Sequence, residues 1–497
     1  MEKSEPRELL PAGPARAFAL GFLVVKLALL ASAAIFMDEA YYWLWGQHPG
    51  LSYFDHPPLV AWVQGVSGAL FGWTTLGVRL PVVLSLVGTL FVLSAIARLL
   101  TPERAEAGFW LSALIYLGTP IYFATTGFAL PDHLLALFGL ASLYGFCRFS
   151  GEWRQDAPRG WFWLYFGAFC LGLSVLSKYN GALIGVGFAL MILATPAFRP
   201  LLKSPHLYLA AGLSLAMQAP VLAWNLQNGW ASFGFIVGGR RGLPEFGDLS
   251  GLTGYLLTII VFLSPFLLWP ALRFVGARKR PAGEHPGTRL LACVAAVSTL
   301  TWLVASLFTD ILFHWNLVGY LALVPVLGLW IRRRWVLLAH LAYTGVLAML
   351  AMVNYVLLPI LAMVSQADQT SGWSYGWQDV GARVAELQRA HDARFIAATD
   401  YALASPLAFA LGDRDVTSLS PATEQFDFWF DGAAHAGQDA ILIADRWRPL
   451  LDETRALFTE IVEIEQVGVS RFGVDVTNYR IYLGRGFRGA PASPALP

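Results

Sequence analysis

Long apolar segments recur along the first 364 residues of this 497-residue chain, and they constrain its fold more than any other feature. Most approach the ~20 residues that an α-helix needs to cross a bilayer. The chain is 56% hydrophobic and 13% charged, which excludes an ordinary soluble globular protein. We predict a polytopic α-helical membrane protein of about eleven spans, and up to thirteen, with the eleven at 17–36, 78–98, 108–128, 133–149, 161–177, 180–195, 206–225, 252–275, 289–308, 316–331 and 335–364.

Basic residues indicate the orientation of these spans. Eighteen Lys and Arg residues fall at the ends of the segments that we place on the cytoplasmic side, against four on the other side before residue 365. Positive loops stay inside, so we predict a multi-pass membrane protein with a cytoplasmic N-terminus. Residues 59–71 are also apolar, but counting them as a span breaks this alternation. They suit a helix that lies in the interface.

The chain from residue 365 onward has a different composition. It carries eleven arginines and no lysine, and short apolar runs at 394–398, 440–444 and 479–483 predict strands, with a helix over 403–411 after Asp400. We predict two domains: a membrane catalytic domain over 1–364, and a small soluble periplasmic α/β domain over 365–497. The net charge of +1 is spread over loop ends and gives no indication of a nucleic-acid partner.

The first predicted outer loop is the richest in reactive side chains. It reads Met37-Asp-Glu-Ala-Tyr-Tyr-Trp-Leu-Trp45, and then Ser52-Tyr-Phe-Asp-His-Pro-Pro-Leu59. A span over 17–36 delivers its acids to the outer membrane surface, where they can act on a molecule carried by the lipid. The candidate site residues here are Asp38, Glu39, Tyr41, Tyr42, Asp55 and His56.

Later loops place more polar groups on the same predicted side. Ionisable groups near the membrane are costly and usually mark function, so their collection on one face predicts a single site. The further candidates are Asp132, His133, Lys178, Tyr179, Arg240, Arg241 and His314.

These residue types suit group transfer from a phosphate-linked lipid. A carboxylate can deprotonate an incoming hydroxyl so that it attacks a sugar carbon. Lys178, with Arg240 or Arg241, can hold the phosphate that leaves. The tyrosines and tryptophans suit sugar stacking and the interfacial belt alike.

Each candidate also has a structural alternative. Asp38 and Glu39 could cap an interfacial helix, and Asp132 after a proline could be a helix N-cap. Lys178 could extend its ammonium to the interface. Asp55 and His56 could belong to a rigid turn before two prolines. The tyrosines could be belt anchors, and the two arginines could be solvated.

The motifs together resemble those of bacterial GT-C glycosyltransferases of the protein O-mannosyltransferase and lipid A aminoarabinose transferase type. The first-loop motif is the most specific. The resemblance continues through most of the chain, at Pro131-Asp132, Leu176-Ser-Lys-Tyr-Asn-Gly181, Trp224-Asn225 with Gly229-Trp230-Ala-Ser-Phe233, His314-Trp315-Asn316, Gln425-Phe-Asp-Phe-Trp429 and Gly437-Gln-Asp-Ala440.

The resemblance implies an inverting transfer of one sugar from a polyprenyl-phosphate donor on the outer face of the membrane. It implies that Asp38 is the general base and that Asp132 is a second acid that orients the acceptor or the base. Lys178 and one of Arg240 and Arg241 would hold the donor phosphate. The loop that begins at Trp230 lacks a glutamine found in many relatives, so the choice between the two arginines stays open.

We therefore predict a glycosyltransferase whose partners are a polyprenyl-phosphate-linked sugar and an envelope acceptor, lipid A or the lipopolysaccharide core. A protein O-glycosyltransferase and a lipid or sugar transporter are the alternatives. Histidines in the outer loops could contribute to a divalent metal site. Their spacing matches no ligand pattern, so no cofactor is predicted.

Overall fold

The computed structural model describes residues 9–154, 159–237, 249–277, 284–365 and 368–489. Helices make up most of these residues. In chain order they are α1 (Ala12–Ser32), α2 (Met37–Gln47), α3 (Leu59–Phe71), α4 (Thr75–Leu100), α5 (Ala105–Leu117), α6 (Pro120–Thr125), α7 (Pro131–Glu152), α8 (Trp161–Ser177), α9 (Ala182–Ala194), α10 (Pro205–Ala216), α11 (Ala219–Gln227), α12 (Ala231–Val237), α13 (Ser250–Leu263), α14 (Pro265–Val275), α15 (Gly287–Ala305), α16 (Leu317–Trp330), α17 (Arg334–Met352), α18 (Ile360–Val364), α19 (Trp377–Ala390), α20 (Tyr401–Leu411) and α21 (Asp452–Arg455).

The chain divides into two compact units. The first contains Met1–Ala28, Val82–Ala223 and Ile236–Met349, and the second contains Leu29–Pro81, Trp224–Phe235 and Leu350–Pro497. The second unit thus includes the first-loop region together with the tail. The predicted division into 1–364 and 365–497 stays a prediction.

Five of the described helices are long and apolar enough to cross a membrane, and three bent pairs bring the number to eight. The protein is therefore a multi-pass helical membrane protein. The predicted total of eleven spans also counted shorter apolar helices, such as α8 and α16, and stays a prediction. Residues 59–71 form the 13-residue helix α3, as expected for a segment shorter than a span.

Prolines and their neighbours interrupt segments that the sequence predicts as single spans. The segment 252–275 breaks before Pro265, where α13 and α14 meet at 101°. The segment 108–128 breaks into α5 and α6 before Pro120. Proline lacks the N–H that continues a helix and clashes with the preceding turn, so each proline begins a new helix instead.

Small residues allow helices of the first unit to pack closely. Gly145 of α7 faces Gly167 of α8, and Ser142 Oγ donates to the Gly167 carbonyl at 2.8 Å. A Cβ built on Gly145 would lie 2.8 Å from the Gly167 backbone. Membrane helices approach one another through such small residues.

The second unit contains a five-stranded mixed sheet. Its strands are β1 (Phe395–Ala398), β2 (Thr417–Ser418), β3 (Ala440–Ala444), β4 (Glu460–Arg471) and β5 (Val474–Arg485), in the order β2-β1-β3-β5-β4. Strand β1 pairs in parallel with β2 and β3, and β5 pairs antiparallel with β3 and β4. All three predicted strands are present.

Local signals explain two elements of this sheet region. The side chain of Asp400 caps α20 by accepting from the Ala402 N–H at 2.8 Å, where the sequence predicts a helix after this residue. Strands β4 and β5 join through Phe472 and Gly473, both with positive φ. Such a two-residue turn matches the twist of a hairpin, and glycine adopts it without strain.

We predict that Gly145→Ala destabilises the first unit by about 1–3 kcal/mol, because its new methyl group meets backbone that has no room to move. Thermal unfolding of the purified protein in detergent measures the effect. Gly212→Ala is the matched control, since nothing lies within 4 Å of its built Cβ. Equal melting temperatures for the two variants would contradict this account of the packing.

Candidate active site

The first-loop acids occupy the first turn of α2. Asp38 is half-buried, and Glu39 is 0% exposed. The Glu39 carboxylate accepts from the backbone N–H of Phe36 at 3.2 Å, which closes the N-terminus of the helix as a capping side chain does. Positive charge at a helix N-terminus stabilises both carboxylates.

Glu39 forms a buried two-point ion pair with Arg79. Arg79 Nε lies 3.0 Å from Oε1, and Nη2 lies 2.6 Å from Oε2. The same guanidinium donates to the carbonyls of Leu30, Ala33 and Ala34, at the end of α1 and just beyond it. This network ties α2 to the end of α1 and uses both oxygens of Glu39.

The second part of the loop is joined to α2 through tyrosine. Tyr41 donates to Asp55 Oδ2 at 2.5 Å, and the Tyr42 and His56 rings lie 6.3 Å apart. Burial first, and then the charge of Asp55, raise the pKa of Tyr41 well above its ordinary value. Tyr41 is therefore a protonated donor at neutral pH.

Residues of the tail complete this environment within the second unit. The Tyr401 ring lies 4.9 Å from the Tyr41 ring. Burial raises the pKa of Tyr401, and the charges of Asp38 and Asp55 raise it further. Glu424, 9% exposed, accepts from the Tyr401 backbone N–H at 3.3 Å. The sequence reasoning missed Tyr401 and Glu424, because no local pattern links them to the first loop.

Burial disfavours the ionised form of the Glu424 carboxyl. Burial is the main cause that raises its pKa well above 4.5, and the charges of Asp400 and Asp427 add to it. The folded protein thus keeps a proton that the unfolded chain releases. This contribution to stability is present below pH 4.5 and is lost as the pH rises through the folded-state pKa.

In the first unit, Asp132 and Lys178 form a second buried pair. Lys178 Nζ lies 2.9 and 3.0 Å from the two carboxylate oxygens, and the two residues are 3% and 5% exposed. Asp132 lies in the first turn of α7, and Lys178 directly follows α8. Ser177 Oγ donates to the Pro131 carbonyl at 2.6 Å, which fixes the two helix ends to each other. Tyr179 begins the short helical turn that follows.

Two further candidates of the first unit have separate surroundings. His133 Nδ1 lies 2.8 Å from Ser85 Oγ, and its Nε2 is buried without a hydrogen-bond partner among the described residues. The half-buried His314 packs its ring edge-on against Phe313, with the ring centroids 4.9 Å apart. Arg240 and Arg241 lie outside the described residues.

The described candidates are thus divided between the two units. Asp38, Glu39, Tyr41, Tyr42, Asp55 and His56 lie in the second unit. Asp132, His133, Lys178, Tyr179 and His314 lie in the first. Within the described ranges, no three His, Cys, Asp or Glu side chains are grouped to hold a metal ion.

Comparisons with known proteins agree with this architecture. The family model of the dolichyl-phosphate-mannose-protein mannosyltransferases matches residues 55–224. The lipid A galacturonosyltransferase RgtD of Rhizobium johnstonii is 26% identical over 331 residues, which are 63% of this chain and 64% of that protein. An undecaprenyl phosphate-α-4-amino-4-deoxy-L-arabinose arabinosyl transferase of Proteus mirabilis is 27% identical over 128 residues, 26% of this chain and 22% of that protein.

Among solved structures, ArnT from Cupriavidus metallidurans bound to undecaprenyl phosphate superposes with a TM-score of 0.64. The alignment covers 95% of this chain and 98% of ArnT at 17% identity. The chain thus has the fold of ArnT. The resemblance predicted from the first-loop motif is confirmed.

We predict that Glu39→Gln destabilises the protein by about 3–5 kcal/mol, because it leaves the Arg79 guanidinium buried without a counter-charge. Glu152→Gln is the matched control. It removes the acid of an i,i+4 pair whose side chains are 36% and 38% exposed, and such surface pairs contribute about 0–1 kcal/mol. Chemical denaturation in detergent compares the two, and wild-type stability in Glu39→Gln would contradict the structural role.

We also predict that Glu424→Gln changes the pH dependence of stability. The wild type should lose stability as the pH rises from 4.5 towards the raised pKa of Glu424, because the folded protein then has to ionise this buried carboxyl, whereas the glutamine variant should not show this loss. Thermal unfolding across that range measures the difference, with the exposed Glu453→Gln as control. Parallel pH profiles for wild type and Glu424→Gln would show that Glu424 does not titrate in this way.

Proposed function

We propose that this protein is an inverting glycosyltransferase that moves one sugar from a polyprenyl-phosphate donor to a lipid A or lipopolysaccharide-core acceptor. The proposal rests on the different roles of the two acids in the first turn of α2. Glu39 is paired with Arg79, and this ion pair fixes the start of the helix on which its neighbour Asp38 lies. Similarity to named glycosyltransferases supports the same class of enzyme.

In the proposed reaction, Asp38 is the general base. An acceptor hydroxyl oxygen attacks the anomeric carbon of the donor sugar while its proton passes to the Asp38 carboxylate. The bond between that carbon and the phosphate oxygen breaks, and the phosphate leaves with the electron pair. A single displacement of this kind inverts the configuration at the anomeric carbon.

Lys178 is the cation proposed to meet the departing phosphate. It is buried, and in the present structure its charge is balanced by Asp132. A donor phosphate would compete for the same ammonium, which would stabilise the charge that develops on the leaving oxygen. Either Arg240 or Arg241 is proposed as a second phosphate ligand. Asp132 would then orient the acceptor or the base.

We further propose that the N-terminus is cytoplasmic and that the reaction takes place on the outer face of the inner membrane. The excess of Lys and Arg at one set of loop ends supports this orientation. It places the α/β sheet region in the periplasm, together with the first loop that lies in the same compact unit.

A glycolipid acceptor is favoured over a protein. Both named relatives are sugar transferases, and the longer match is to one that acts on lipid A. The matching family model is named for protein mannosylation, so protein O-glycosylation is the second candidate.

We predict that Asp38→Asn lowers the transfer rate by about 10²-fold or more, the loss expected when a general base is removed, while the protein remains folded and inserted. Mass spectrometry of lipid A and core oligosaccharide from a deletion strain carrying each variant measures the product. Asp379→Asn is the matched control, because it removes another first-turn acid, on the exposed face of α19.

A sugar mass that is present with wild type and Asp379→Asn but absent with Asp38→Asn would support the proposed sugar transfer and the role of Asp38 as the general base. Full modification by Asp38→Asn would remove Asp38 as the base. Identical envelope spectra with and without the wild-type gene, together with lost glycopeptides, would favour the protein acceptor.

A further inference from the structure

A cavity of about 400 Å³ lies within the second unit. Its size falls in the ~300–1,000 Å³ range of small-molecule sites. Its lining comes from three segments distant in sequence: the middle of the first loop, the end of α11 with the residue that follows it, and the tail. Each of these segments carries one of the motifs on which the family resemblance depends, but the proposed reaction gives this cavity no role.

Aromatic rings form rigid walls of the cavity. Tyr53 stacks on Trp45 with a centroid distance of 4.2 Å, and its hydroxyl lies 2.9 Å from the His48 carbonyl oxygen. Trp224 packs against Phe428 at 5.2 Å. Tyr53 is buried and keeps the lining in place, whereas the half-buried rings of Phe428 and Trp429 can contact the C–H groups of a sugar without the loss of side-chain freedom.

Two polar atoms in the same lining have no hydrogen-bond partner in the part of the chain that the structure describes. Ser52 is 1% exposed, and its Oγ makes no hydrogen bond among the described residues. The same holds for Gln47 Nε2. Buried polar groups nearly always have partners, and leaving them unpaired destabilises the fold. A hydroxyl-rich ligand in the cavity would supply these missing bonds.

One side of the cavity carries a cation and a histidine. The Arg414 side chain is 58% exposed and donates to the Gln47 carbonyl at 3.4 Å. His48 stacks on Trp429 at 4.5 Å, and its Nε2 donates to the Arg414 carbonyl at 3.2 Å. Burial is the main cause that lowers the pKa of His48, so the ring is neutral near pH 7 and its Nδ1 can accept a hydrogen bond.

A second cavity of about 390 Å³ shares His48, Arg414 and Trp429 with the first. The two therefore meet at these three residues and provide room for more than one sugar ring. A donor that carries a single sugar would not need this length. A core oligosaccharide would.

We propose that the Ser52–Arg414 cavity binds a sugar residue of the acceptor saccharide, with a carboxylate or phosphate of that saccharide against Arg414. This inference rests on the proposed function and deepens it, since it assigns a subsite to the acceptor. The aromatic walls bind the ring faces, and the unpaired Ser52 and Gln47 atoms bind hydroxyl groups.

Steady-state transfer by the purified full-length protein tests the proposal, with core-bearing lipid A and the polyprenyl-phosphate sugar varied separately. Arg414→Gln should raise the acceptor KM about tenfold, as expected for the loss of a charge-assisted hydrogen bond. Ser52→Ala should raise it about three- to tenfold. The donor KM and the rate at saturating acceptor should stay unchanged.

Two matched controls separate binding from folding. Arg485→Gln removes an arginine that is 59% exposed and weakly paired, much like Arg414 but outside the cavity. Ser405→Ala removes a buried hydroxyl that also lacks a hydrogen-bond partner among the described residues. It belongs to α20 and is not part of the lining of either cavity. Neither control should change the acceptor KM. Ser52→Ala should melt at or above the wild-type temperature, because it removes an unpaired polar group.

Direct binding distinguishes failure of this inference from failure of the proposed function. Delipidated core oligosaccharide is titrated into wild type and variants by calorimetry. Weaker binding by Arg414→Gln and Ser52→Ala supports the subsite, even if the wild type transfers no sugar. Active wild type with unchanged acceptor KM and unchanged oligosaccharide binding in both variants overturns the subsite and leaves the function standing. A rise in the donor KM alone also overturns it, because the cavity would then hold the donor sugar.

Discussion

The ion pair between Glu39 and Arg79 fixes the point at which the chain leaves α1 and enters α2. Both side chains are buried, and two charges removed from water are costly unless hydrogen bonds satisfy them. Here the guanidinium meets two carboxylate oxygens and three backbone carbonyls. Carbonyls at a helix C-terminus lack partners within the helix and attract a cation. One arginine therefore closes the end of α1 and anchors the start of α2.

The same position explains why two adjacent carboxylates have different surroundings. Residues next to each other on a helix point about 100° apart, so an inward-facing Glu39 leaves Asp38 on another side of the first turn. Asp132 also lies in the first turn of its helix, α7. At both places the acid lies at the positive end of a helix dipole.

The sequence predicted the apolar segments of the membrane region, the three strands and the motifs that carry the acids, because each has a local signal in hydropathy or alternation or as a short motif. It did not predict the partners. Glu39 and Arg79 are 40 residues apart in the sequence. Glu424 and Tyr401 both lie in the tail, and only the folded chain brings the Glu424 carboxyl to the Tyr401 backbone N–H. Pairings of this kind leave no periodicity in the sequence. The break before Pro265 does have a local signal, the proline itself, but a hydropathy value averaged over the whole segment hides it.

The proposed base and the proposed acceptor subsite are joined by one helix. Asp38 lies at the start of α2 and Gln47 at its end, so nine residues of helix separate them by ~14 Å along the axis. The ion pair anchors the first end, and the Tyr53 hydroxyl bonded to carbonyls at Trp45 and His48 anchors the second. A saccharide bound beside Gln47 would therefore be held at a fixed distance from the carboxylate. A rigid spacer of this kind selects which hydroxyl of a long acceptor reaches the base, without any change in the chemistry at the donor phosphate.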